Sequence, residues 1–196
     1  MDLYQPETIH VNGDKFRVYL THEEIQQRIK QLGVQISKDF RDKKPIFIGV
    51  LNGAYIFLAD LMRSVSIPCE VDFLKLSSYG DEKVSSGQVQ DLKEINADIK
   101  GRNVILVEDI VDTGLSMKYL IEKLKRYEPA SLTVVTMLHK IEATKYDVQI
   151  DYVAFTIPNL FVLGYGLDYA QEGRNLAQIY ILESDETSDV LKKMRK

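Results

Sequence analysis

The sequence predicts an α/β protein, a mostly parallel central sheet flanked by helices. Three observations predict it. Short apolar runs at 46–51, 104–107 and 132–138 are of strand length and apolar at successive positions, as suits strands covered on both faces. Segments of helical length lie between them, the alternation that builds parallel sheets. The chain has 196 residues, 45% of them hydrophobic and 28% charged, with no internal repeat, low-complexity tract or Pro/Gly-rich linker. Residues 1–196 are therefore expected to form a single domain around one core.

After a polar start, Phe16, Val18 and Leu20 suggest a short strand. Thr21 followed three residues later by Glu24 reads as a capping box. Ile25, Ile29, Leu32, Ile36 and Phe40 then recur at spacings of three and four, which predicts an amphipathic helix stopped by Pro45. The run 46–51 predicts a buried strand, broken at Asn52-Gly53, with a helix over 54–62. A strand is expected at 71–76. Residues 77–98, polar and carrying Gly80 and Gly87, are expected to form a loop with a short hairpin, too poor in apolar residues to pack firmly. The run 104–107 predicts a further strand, ending at Glu108-Asp109. Met117, Leu120, Ile121 and Leu124 make the next helical face, and strands follow at 132–138 and 152–156. In such sheets ligands bind beyond the carboxyl ends of the strands, so the residues just after each run are the candidate site.

Composition narrows the function classes. A formal charge of −4 and a pI near 5.5 argue against a surface built for nucleic acid. The lone Cys69 permits no intramolecular disulfide. Met1 is followed by Asp2 and Glu7 rather than a basic start and an apolar run, so a secretory leader is not expected. No apolar stretch approaches the roughly 20 residues that span a bilayer. The expectation is a cytoplasmic protein with neither nucleic acid nor membrane as partner.

The chemistry concentrates in 104–117, VILVEDIVDTGLSM. Two acids at the end of a buried strand, Glu108 and Asp109, suit a hard cation or sugar hydroxyls. The turn that follows, Asp112-Thr113-Gly114, opens a helix, where unpaired backbone N–H groups and the helix dipole favour a phosphate. Thr113 and Ser116 add hydroxyl donors, and Gly114 lets a ligand approach the backbone. A solvated pair of acids and an aspartate serving only as a helix cap are the plainer explanations of the same residues. The Gly-Lys-Ser/Thr ending of a Walker loop is absent. Asp109 and Asp112 lie too far apart for the two-aspartate segment of haloacid dehalogenases, which separates them by one residue.

Hydrophobic strand, two acids, two apolar residues and Asp-Thr-Gly together resemble the phosphoribosyl-pyrophosphate motif of type I phosphoribosyltransferases. The rest of the chain is similar to the hypoxanthine-guanine branch of that family. Leu51-Asn52-Gly53-Ala54 stands where the family has its first phosphate loop, and Ser78-Tyr79 where its mobile lid has Ser-Tyr. Lys140 follows the third strand, where the family has a base-recognising lysine. Phe161 to Tyr169, FVLGYGLDY, matches the purine-pocket stretch, and Arg174 a later arginine. The resemblance runs from about residue 46 to residue 182, with the motifs in order. Two positions depart from it. Asn52 replaces the usual basic residue of the first loop, which weakens charge contact there. Leu115-Ser116 replaces the Lys-Thr of animal members and looks like a bacterial variant.

The resemblance implies a fold with a small hood made by the terminal segments, Mg²⁺ as cofactor, and phosphoribosyl pyrophosphate and a 6-oxopurine as substrates. It also implies a homodimer or homotetramer. Glu108 and Asp109 would lie over the ribose hydroxyls with Mg²⁺ nearby. Asp112 would accept the purine N7 proton as the catalytic residue. The segment Asp112, Thr113, Gly114, Leu115 and Ser116, with Ile110 at its base, would hold the 5′-phosphate. Leu51, Asn52 and Gly53 would hold pyrophosphate through backbone amides in a non-proline cis turn. Lys140 would read the 6-oxo group, Phe161 would stack on the purine and Val162 would line its pocket. Asp168 would hold a second Mg²⁺ through pyrophosphate, with Arg174 on the same oxygens. Residues 77–98, Ser78 and Tyr79 included, would close over the site and exclude water. A xanthine-preferring enzyme and a regulatory RNA-binding protein on the same fold stay open as alternatives. A panel of bases separates the first, and an electrophoretic shift with RNA the second.

Overall fold

The structure is a computed structural model that describes residues 6–78 and 89–194. Six strands form the central sheet, in the order β5-β4-β3-β6-β7-β8. They are β3 (Ile46–Leu51), β4 (Glu70–Ser78), β5 (Val89–Lys93), β6 (Asn103–Val111), β7 (Ser131–His139) and β8 (Tyr152–Thr156). All neighbours are parallel except β4 and β5. Along β3 and β6 successive side chains enter two different cores. Phe47, Ile105 and Val107 face α1 (His22–Asp39) and α2 (Tyr55–Ser64), while Ile46, Ile48, Val104 and Leu106 face α3 (Leu115–Lys125). That period of two explains the unbroken apolar runs, since both faces of the sheet are covered.

The helices form where the apolar spacing placed them. Thr21 caps α1, its hydroxyl accepting from the Glu24 N–H while the Glu24 carboxylate accepts from the Thr21 N–H. Ile25, Ile29, Leu32 and Ile36 are the buried stripe of α1, and Met117, Leu120 and Leu124 that of α3.

A second sheet lies over the first core. Its order is β1-β2-β10-β9, from β1 (Thr8–Val11), β2 (Asp14–Leu20), β9 (Val162–Leu163) and β10 (Ile179–Leu182), all antiparallel. Ile9, Val11, Phe16, Leu163 and Tyr180 form its own small core. Ile179 and Ile181 belong instead to the core under α1 and α2, which ties this hood to the main sheet. The chain closes with α4 (Asp185–Met194). No described helix is long and apolar enough to cross a membrane.

The sequence reading placed no element at β9, β10 or α4, and the structure departs from it at three further places. The polar start contains β1, an edge strand whose Ile9 and Val11 alternate with Thr8 and His10. The strand of the acidic motif continues past Glu108-Asp109 to Val111, because β7 pairs with it as far as Val111↔His139. The described part of 77–98, residues 77–78 and 89–98, is more structured than its polarity suggests. β4 and β5 make the hairpin, and beyond it Ile99 is 1% exposed, with Ile95 and Ala97 packed on the α3-side core. Asp72 holds that segment, accepting from the N–H groups of Asn96 (2.6 Å) and Ala97 (2.8 Å) and from the Lys93 ammonium (3.4 Å). The remainder of the expected lid, with Tyr79, lies outside the described residues, as does the Ser78 side chain.

Candidate active site at the carboxyl edge of the sheet

Parallel pairing brings the carboxyl ends of β3, β6 and β7 to one edge, and with them the segments 51–54, 108–116 and 140–146. The centre is Glu108-Asp109. Glu108 is 7% exposed. Burial pushes its carboxyl well above the ordinary value, and the adjoining Asp109 charge adds to the effect. Burial raises Asp109 too, against bonds from the Glu108 side chain and the Ile110 N–H and the nearby Arg174 charge. The pair is therefore one whose ionised form the protein leaves only partly compensated.

The next residues form a tight turn. Gly114 adopts φ +86 and caps α3 without a side-chain bond, so the helix cap is Gly114 rather than Asp112. The N–H groups of Lys145 and Tyr146 donate to the Thr113 carbonyl (2.9 and 3.1 Å), and the Thr144 hydroxyl donates to the Asp112 carbonyl (2.9 Å). Glu108 and residues 110–117 line a small cleft of about 100 Å³ here. Asp112 does not face the helix. Its Oδ2 accepts from the Lys140 ammonium at 2.9 Å, with Lys140 8% exposed. A carboxylate acceptor and an ammonium donor thus stand together beside this turn.

The first loop meets the site from the other side. The Leu51–Asn52 peptide is cis, and a side chain on Gly53 would overlap the Asp109 carboxylate. A side chain on Gly166 would overlap the Gly53 carbonyl. The Arg174 guanidinium bonds the Gly166 carbonyl (2.8 Å) and pairs with Asp168 (2.7 Å). The Asn52-Gly53 loop, Asp109, Asp168 and Arg174 therefore form one polar cradle.

Phe161 stands apart from these groups, on the hood. Its ring is 44% exposed and packs against Tyr169 (5.2 Å, edge-on) and Phe16 (6.1 Å), while Val162 is buried in β9. Sequence reasoning passed over Thr144, Lys145 and Tyr146, which brace the turn from an irregular connection with no periodicity. Gly166 lay within the 161–169 stretch but was given no role of its own, although a glycine on each side of Tyr165 signals a special backbone.

Among the described residues no group of three or more His, Cys, Asp or Glu side chains could hold a metal alone. Mg²⁺ nevertheless suits Glu108-Asp109. It is commonly held by one or two carboxylates plus substrate phosphates, and a pair whose charge is disfavoured by burial gains most from a cation. Asp168 fits less directly, because Oδ1 already pairs with Arg174 and Oδ2 accepts from the Gln171 N–H.

The phosphoribosyl transferase domain model matches residues 18–170. The hypoxanthine-guanine phosphoribosyltransferase of Bacillus subtilis is 41% identical over 167 residues, which are 85% of this chain and 93% of that protein. That of Mycobacterium bovis is 45% identical over 177 residues, 87% of this chain and 88% of that one. The crystal structure of a Bacillus anthracis hypoxanthine-guanine phosphoribosyltransferase superposes with a TM-score of 0.81 at 38% identity, covering 85% of this chain and 98% of that one. The family match, the sequence identity and the superposition agree, and the chain belongs to the phosphoribosyltransferase family, among its hypoxanthine-guanine members.

Proposed function

We propose that this phosphoribosyltransferase joins N9 of hypoxanthine or guanine to the ribose 5-phosphate of phosphoribosyl pyrophosphate, a purine-salvage reaction that releases pyrophosphate. The observation that carries this reading is the Asp112–Lys140 pair beside the phosphate turn. A 6-oxopurine carrying its imidazole proton on N7 presents an acceptor and a donor on one edge. Lys140 supplies three donors and no acceptor, and Asp112 an acceptor. The two side chains answer the two atoms.

In the reaction the bond from ribose C1 to pyrophosphate breaks, N9 forms the new bond to C1, and Asp112 takes the N7 proton. The 112–116 turn holds the 5′-phosphate through backbone N–H groups and the Thr113 and Ser116 hydroxyls. Leu51, Asn52 and Gly53 hold the pyrophosphate from one side, and Arg174 with Asp168 from the other. Glu108 and Asp109 orient the ribose hydroxyls and would hold Mg²⁺, which supplies neutralisation of the charge that develops on pyrophosphate. Phe161 offers its exposed face to the purine, and Val162 backs it. Ser78 and Tyr79 belong to the lid of the same reading.

The single domain over 1–196 is part of this proposal, supported by the core shared between β10 and the main sheet. A homo-oligomer and a cytoplasmic setting complete it, the second supported by the one half-buried cysteine, Cys69. The test is incubation with phosphoribosyl pyrophosphate, Mg²⁺ and a panel of bases, followed by separation of the nucleotides. Hypoxanthine and guanine should be converted and adenine left essentially unused, since a site built on a polar contact rejects an analogue lacking the partner by about 10⁴-fold. Adenine turnover equal to that of hypoxanthine would remove the 6-oxopurine assignment.

A further inference from the structure

The cradle that takes the pyrophosphate has two walls from distant parts of the chain, and something must fix their spacing. One wall is the 51–53 loop, which runs directly into α2. The other is the turn at 164–168, which leads to Asp168 and is tied to Arg174. In that turn Gly164, Tyr165 and Gly166 all have positive φ, at +101, +51 and +100. A bulky aromatic residue in the left-handed region is uncommon, and such backbone persists only where surrounding contacts hold it, often at functional sites.

The contacts that hold Tyr165 are specific. Its ring is 3% exposed within the core under α1 and α2. Its N–H donates to the Leu176 carbonyl at 2.9 Å. Its hydroxyl donates to Asp60 Oδ2 at 2.6 Å, and the same oxygen accepts from Gln26 Nε2 at 2.7 Å. Asp60 lies on α2, the helix that begins at the end of the first loop. A closed circuit results: from Gly53 along α2 to Asp60, across to Tyr165, on to Gly166, and back against the Gly53 carbonyl. Burial and the Asp60 carboxylate push the phenol well above its ordinary value, so it stays a donor at any working pH.

We propose that Tyr165 is a positioning residue whose hydroxyl, bonded to Asp60, fixes the separation between the 51–53 loop and the Asp168–Arg174 pair and so sets the fit of pyrophosphate. The inference rests on the reading of this cradle as the pyrophosphate site. A tyrosine that merely filled the core would serve equally well as phenylalanine.

The test is Tyr165→Phe, which keeps the ring and removes only the hydroxyl. Pyrophosphate binding, measured by calorimetric titration with Mg²⁺, should weaken roughly tenfold, because hydrogen bonds to charged acceptors are among the stronger ones. The KM for phosphoribosyl pyrophosphate should rise by a similar factor while the KM for hypoxanthine stays within about twofold. Asp60→Ala should reproduce both effects, and Asp60→Asn, which retains an acceptor for both donors, should leave them near normal. Unchanged pyrophosphate affinity in Tyr165→Phe, or an equal rise in both KM values, would overturn the proposal. Should the unaltered protein transfer no phosphoribosyl group, the functional reading fails, yet the titration still decides the role of Tyr165. An unaltered protein that binds no pyrophosphate overturns both.

Discussion

The carboxylates of this site fall into two groups that differ in what faces them. Asp112 and Asp168 each have a cation in contact, Lys140 at 2.9 Å and Arg174 at 2.7 Å. Glu108 and Asp109 face chiefly each other, and burial disfavours their charge. The first group is complete without a ligand and can present fixed donors and acceptors to one. The second is held in a state that a cation from outside would relieve. One sheet edge thus carries, just past the ends of β6 and β7, a carboxylate already paired with a lysine and, within β6, a pair of carboxyls whose ionisation burial disfavours.

The largest effect expected from that contrast is on metal dependence. Chelation with EDTA should abolish transfer and added Mg²⁺ should restore it, as hard oxygen ligands and a pyrophosphate leaving group require. Full turnover in EDTA would mean that the Glu108-Asp109 pair has no cation to wait for.

The next effect concerns the paired group. Asp112→Asn should lower kcat by roughly 10²–10⁴-fold, the usual loss of a general base, with a much smaller change in phosphoribosyl pyrophosphate binding. Lys140→Met should slow the reaction with hypoxanthine and narrow the gap to adenine. Because the two side chains share a hydrogen bond, the double variant should lose less than the sum of the singles. Strict additivity in that cycle would show that they do not act as a unit.

A smaller effect has the opposite sign. A carboxyl whose value is raised on folding costs stability at every pH above its unfolded value, in the absence of a cation. Glu108→Gln should therefore raise the stability of the free protein near neutral pH while impairing transfer. Thermal melts at pH 5 and pH 8 sharpen the point: the gain should be greater at pH 8. A destabilised variant would place Glu108 among the paired acids.

The least effect on chemistry is expected at Asp72, an acid of the paired kind outside the site. Burial pushes its carboxyl up, but the N–H groups of Ala97, Phe73 and Asn96 and the Lys93 charge outweigh burial and hold it below its ordinary value. The sign follows: its stabilisation is present above the unfolded carboxyl value, near pH 4, and is lost as pH falls through the lower folded value. Asp72→Ala strands three backbone donors and should cost about 2–4 kcal/mol in denaturant unfolding at neutral pH, and less in acid. Equal costs at pH 7 and pH 3 would dissociate Asp72 from acid sensitivity.

Much of this molecule is written in local pattern. The capping box at Thr21 and Glu24, the stripe of α1 and the runs of β3, β6 and β7 depend on spacing along the chain, so periodicity alone located them. The acidic motif was equally legible, because strand, carboxylates and helix-opening turn are contiguous. What depends on contacts between distant residues was not. β1, β9 and β10 are short, and their sheet forms only when the two ends of the chain meet, so their local pattern is too brief to mark them. The exit of the 77–98 stretch looked like open loop until Asp72, more than twenty positions earlier, was seen to bind it.

The same division holds inside the site. The sequence by itself determined which residue types stand at the candidate site and their order, since the carboxylates, the lysine and the glycines follow strand-length apolar runs that local pattern marks. Only the tertiary structure decided their partners: Asp112 with Lys140 rather than with its helix, Arg174 with Asp168 and Gly166, Tyr165 with Asp60. The physical reason is that a side chain's ionisation and orientation are set by whatever the fold places within about 3 Å of it, and sequence separation carries no information about that distance.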